Sequence, residues 1–69
     1  MPSAALSLLD RCAEGPRYVA HLPAVCRRSA VIREAEANGW VTYAERIVTL
    51  TERGRRALDG ARRAAEMGL

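Results

Sequence analysis

Apolar positions recur at helical spacing in three stretches of the chain and alternate in a fourth. From Ala4 to Ala13, Leu6, Leu9 and Ala13 fall on one stripe, widened by Ala5, Leu8 and Cys12. Ser3 is a suitable cap before it, and Gly15-Pro16 ends it. Arg17 to Ala20 is short and reads as extended. His21-Leu22-Pro23 then opens a second, short helix through Ala24, Val25 and Cys26, with Pro23 tolerated in the first turn. A third helix is expected from about Arg28 to Asn38, with Val31, Ile32 and Ala35 inward and Ser29, Arg33 and Glu36 outward. Nothing at Arg27-Arg28 is a strong breaker, so a continuous second and third helix is an alternative.

Asn38-Gly39 is the clearest stop, because glycine accepts the left-handed conformation that closes a helix. Trp40-Val41-Thr42-Tyr43 and Ile47-Val48-Thr49-Leu50 are rich in β-branched and aromatic residues and read as two strands. Only Ala44-Glu45-Arg46 lies between them, which predicts a tight hairpin. A three-residue loop sets Trp40 opposite Leu50 and Thr42 opposite Val48, with Trp40, Val48 and Leu50 on the core face. Thr51 is the expected cap of a last helix from Glu52 to about Met67. Its apolar stripe is Ala57, Leu58, Ala61 and Ala65. Gly54 and Gly60 are expected to weaken it, by up to about 1 kcal/mol each.

The 69 residues suit one domain, 1–69, of α+β class and mostly helical. A domain this small buries only about 60% of its unfolded surface, which makes a dimer attractive. The net charge of +3 is modest, but all eleven basic residues are arginine. Arginine forks two hydrogen bonds onto a phosphate or a guanine edge, whereas lysine offers a point charge. The plainer source of such a bias is a GC-rich genome, so the placement of the arginines carries the weight.

Cys12 and Cys26 form no C-x-x-C pair, and His21 is the single histidine, so four-ligand zinc is rejected and no cofactor is expected. Reduced, buried thiols are expected, with one disulfide left open. Met1 to Ala5 carries no basic leader, and Asp10-Arg11 interrupts the apolar run behind it. No stretch approaches the roughly 20 apolar residues of a membrane span. A cytoplasmic protein without membrane contact is expected. No carboxylate or hydroxyl has a partner at catalytic spacing, so an enzyme is not expected.

The element order, together with Ala35-Glu36-Ala37-Asn38-Gly39-Trp40-Val41 and Val48-Thr49-Leu50-Thr51-Glu52-Arg53-Gly54, resembles the winged helix-turn-helix family of bacterial and phage regulators. The resemblance covers most of the chain. It implies a three-helix core, a two-stranded wing hairpin and a C-terminal helix. It implies double-stranded DNA as partner, with the helix from Arg28 to Asn38 in the major groove. On that reading Arg28 and Arg33 face guanine edges, and Arg27 and Ser29 hold phosphates. Arg46 at the wing tip, and Arg17 and Tyr18 before the second helix, would touch the backbone.

The plainer role of these side chains is a solvated surface. Trp40 and Tyr43 are stacking candidates, with core packing the stronger expectation for Trp40. His21 reads as a partly exposed capping residue, and the arginines of the last helix as a solvated face. Relatives pair their first and last helices across a two-fold axis, which points to Leu6, Leu9, Leu58 and Ala61 as a dimer surface. Two departures stand out: the helix-turn-helix is compressed around Pro23, and the wing is short. Both favour the alternative of a winged-helix module that binds a protein, as in phage or mobile-element inhibitors of host defence complexes.

Overall fold

The computed structural model describes residues 3–68. Its elements in chain order are α1 (Ser3–Arg11), β1 (Arg17–Tyr18), a 3-10 turn (Val19–His21), α2 (Ser29–Ala37), β2 (Val41–Ala44), β3 (Ile47–Leu50) and α3 (Glu52–Met67). The class is α+β, mostly helical, with a three-stranded antiparallel sheet in the order β1-β3-β2. The hairpin thus gains a third strand: Arg17 pairs with Val48 and Tyr18 with Ile47. None of its helices is long and apolar enough to cross a membrane.

The amphipathic pattern places the helices well. Leu8, Leu9 and Cys12 of the first stripe are buried, as are Ile32 and Ala35 of α2 and Leu58 of α3. With Leu22, Cys26, Val41 and Val48 they make one core. Each fully buried Leu or Val contributes about 1.5–3 kcal/mol. Ser3, expected as a cap, is already helical. Both cysteines are free and buried, so the disulfide left open by the sequence does not form.

The expected second helix is absent. Pro23–Arg27 closes a single turn, with the amides of Cys26 and Arg27 donating to the Pro23 carbonyl at 2.9 and 3.1 Å. Too few residues separate Pro23 from α2 to propagate a helix, and nucleation alone is unfavourable. What this region supplies instead is two core plugs, Leu22 just before the turn and Cys26 within it, both buried. The three-helix core is therefore replaced by α1 and α2 packed with α3.

The hairpin register is also one residue off the expectation. Val41 pairs with Leu50, Thr42 with Thr49, Tyr43 with Val48 and Ala44 with Ile47. The loop holds two residues, Glu45 and Arg46, with φ of 52° and 65°. Two positive φ values match the right-handed strand twist, as in a type I′ turn, although neither residue is glycine or asparagine. Val41 is therefore the buried strand residue, and Trp40, half-buried, packs against the core as expected.

Trp40 also finishes the helix stop. Its amide donates to the Ala35 carbonyl and that of Gly39 to the Glu36 carbonyl, both at 2.9 Å, with Gly39 at φ 76°. These are the two bonds of a Schellman closure. The Trp40 carbonyl then accepts the Thr51 amide at 2.9 Å, tying the end of α2 to the start of α3.

Candidate nucleic-acid interface

The N-termini of α2 and α3 differ. Thr51 caps α3: its hydroxyl oxygen accepts the Gly54 amide at 2.9 Å, and Glu52 sits in the first turn. Arg28 precedes α2 in extended geometry (φ −63°, ψ 133°), no side chain caps it, and the first turn holds no acid. Helix N-termini leave backbone N–H groups without intrahelical partners and carry partial positive charge. At α3 the chain answers that charge itself; at α2 it does not.

Around the bare end of α2, Arg27, Ser29, Ile32, Arg33 and Glu36 face Tyr43 of β2 and Val19 across an open cleft. Three of the residues expected to contact DNA, Arg27, Ser29 and Arg33, are thus brought together. Arg28 stands exposed at the cap position beside them. Glu36 lies in the same cleft, but no ion pair joins it to Arg33. Among the described residues the ion pairs are Arg56 with Glu52, at 3.7 Å, and Arg62 with Asp10. Arg27, Arg28, Arg33 and Arg46 take part in neither.

A second cleft lies at the hairpin tip, lined by Tyr18, Val19, Ala20, His21, Glu45 and Arg46. The Val19 amide donates to the Arg46 carbonyl at 2.8 Å and fixes the tip against the 3-10 turn. The Tyr18 and His21 rings meet edge to face, with centroids 5.6 Å apart and planes at 75°. Val19 lines both clefts, so the tip cleft and the α2 cleft meet at that residue. His21 is exposed and ends the 3-10 turn.

Arg17 stands apart. Its Nε donates to the Arg11 carbonyl at 3.0 Å, closing the end of α1. Strand alternation turns it away from Tyr18, to the side of Val48. Its observed work is structural, like that of Arg55, which donates to the Ala13 carbonyl at 2.8 Å.

The expected dimer surface needs correction. Leu9 and Leu58 are 0% and 1% exposed and belong to the core of the single chain. Leu6 and Ala61 are half-buried and line a shallow groove between α1 and α3 with Ser7, Asp10, Arg62 and Ala65. The stripes counted every apolar position on α1 and α3, but Leu9 and Leu58 are spent on the core these helices share with α2 and the strands.

Val19 and His21 escaped the sequence reading as parts of a site. Their signal is weak: an aromatic-apolar-polar run, Tyr18 to His21, whose partner Arg46 lies far along the chain. Tyr43 is a stacking candidate from sequence, but its place in the cleft with Arg33 depends on the register. No known protein family, no curated protein and no solved structure matches this chain.

Proposed function

We propose that this chain acts by binding and not by catalysis, and that its partner is double-stranded DNA, met by the N-terminal half of α2. One observation carries the reading. The uncapped, acid-free start of α2 is surrounded by Arg27, Arg28, Ser29 and Arg33, and these arginines are outside the ion pairs of the described chain. A helix N-terminus favours phosphate, and arginine adds bidentate donors to phosphate or guanine. Arg28 and Arg33 are assigned to base edges, Arg27 and Ser29 to phosphates, and Arg46 to the backbone beside the hairpin. On this reading the chain is a small regulator of the winged-helix kind.

The test is fluorescence anisotropy with duplexes of random sequence and of the chain's own upstream region, over a range of salt. Three or four phosphate contacts give a slope of log K on log salt of about −3. Arg27→Ala should weaken all duplexes alike. Arg28→Ala and Arg33→Ala should each cost about 1–3 kcal/mol on the preferred sequence and relax the preference. Absence of binding at low salt overturns the reading.

One observation favours a second reading, a protein-binding module of the kind that phages or mobile elements direct at host defence complexes. The tip offers only Glu45 and Arg46, Glu36 shares the α2 cleft, and Val25, Tyr18 and Tyr43 are exposed. A mixed apolar and charged face of this kind suits a protein. With Leu9 and Leu58 committed to the core, self-association would rest on Leu6 and Ala61, a small surface.

A further inference from the structure

We infer that the cleft at the hairpin tip takes an unpaired nucleotide, its base against Tyr18 and its phosphate on Arg46, so that the favoured ligand is a duplex carrying a single-stranded tail. The inference rests on the nucleic-acid reading and names the form of nucleic acid. The cleft has a volume of about 400 Å³, large enough for a nucleobase. Tyr18 leaves 56% of its surface to solvent, although it is a large aromatic held in a strand. Its ring is braced by His21, and the cleft wall is pinned by the bond from Val19 to Arg46. Aromatic ring and arginine, side by side, are what a strand with free bases needs: a face to stack on and a charge for the backbone.

The register decides between duplex and single strand. Tyr18 pairs with Ile47 and so shares its side of the sheet, whereas Tyr43 pairs with buried Val48 on the other side. The two clefts therefore lie on opposite sides of the sheet and meet over Val19. A stiff duplex resting on α2 offers base faces only at its ends. A flexible strand leaving that duplex can pass over Val19 into the Tyr18 cleft.

The experiment measures anisotropy of the full chain with three labelled ligands: a blunt duplex, the same duplex with a short oligo-dT tail, and one whose tail lacks bases. The dT tail should raise affinity roughly tenfold, as expected for a stacked base. Tyr18→Ala should bring the ratio of tailed to blunt affinity down to about one, while Tyr18→Phe should retain the tenfold ratio. Arg46→Ala should reduce it. Equal affinity for blunt and tailed duplexes overturns the inference while leaving duplex binding standing. An equal gain from the tail without bases overturns it too, since charge alone then suffices. Failure to bind any of the three overturns the nucleic-acid reading and this inference together.

Discussion

A β-carbon built on Gly54 falls 2.0 Å from the carbonyl oxygen of Trp40 and 2.7 Å from a Leu50 methyl. The first turn of α3 thus lies directly on the backbone that leaves α2, and only hydrogen fits between them. Gly54→Ala must push the helix off that carbonyl, which also serves the Thr51 amide. The expected loss is about 3 kcal/mol, at the upper end for overpacking and a large share of a small domain's stability. Gly60, in the same helix, meets nothing within 4 Å. Gly60→Ala should raise stability by about 0.5–1 kcal/mol through helix propensity alone. Urea denaturation of the two variants should move the midpoint in opposite directions.

Thr51 joins three segments through one hydroxyl. It accepts the Gly54 amide, and its single proton is within reach of the Gly39 and Trp40 carbonyls, at 2.6 and 2.9 Å. Thr51→Ala should cost about 1–2 kcal/mol, as for loss of a helix cap. Thr51→Ser keeps the hydroxyl and should recover most of it. Thermal unfolding followed by circular dichroism reads both.

The turn at Glu45-Arg46 holds two side-chain-bearing residues at positive φ. Such backbone costs roughly 1–2 kcal/mol per residue without a glycine. The double change Glu45→Asn and Arg46→Gly should therefore stabilise the fold by about 1–2 kcal/mol. It also removes the tip guanidinium. A variant that melts higher and binds nucleic acid less tightly would mark the strained turn as retained for Arg46; unchanged binding would remove Arg46 from the interface.

Burial pushes both thiols up from the ordinary value of 9.0, Cys12 against the pull of Arg17 and with a push from Cys26, Cys26 against the pull of Arg11. A raised thiol pKa means the folded chain keeps its protons longer than the unfolded chain. The stabilising contribution is full below the unfolded value and is lost as pH rises beyond it. Stability should therefore fall above about pH 9 for this reason. A thiol reagent at pH 8 should label the native chain slowly and the urea-unfolded chain at both cysteines.

The parts legible in the sequence are those governed by local rules. Thr51 and Glu52 set the start of α3, Gly39 closes α2, and helical spacing gives the inward faces of Ile32, Ala35 and Leu58. The parts that were not legible depend on long-range partners. Val41 rather than Trp40 pairs with Leu50 because the turn closes with two residues, and no glycine or asparagine announces it. Leu22 and Cys26 fill the core from either side of Pro23, so their apolar pair imitated a helix. Gly54 looked like a weakness of α3 and is instead its contact point. In the candidate site, the α2 group was readable because its members are close in sequence. The Tyr18–Arg46 cleft was not, because its two sides, β1 and the hairpin tip, lie far apart in sequence.

That short first strand has a consequence for assembly. β2 and β3 are joined by two residues and can zip locally, on the microsecond scale of hairpins. β1 contributes only Arg17 and Tyr18 and must be carried in from a distance, at a loop-closure cost. It is the natural last element to dock and the first to fray. The Tyr18 cleft exists only while β1 is docked, so occupying it and holding the sheet at three strands are one equilibrium. Hydrogen exchange at the Val19 amide, whose acceptor is the Arg46 carbonyl, reports on that equilibrium directly.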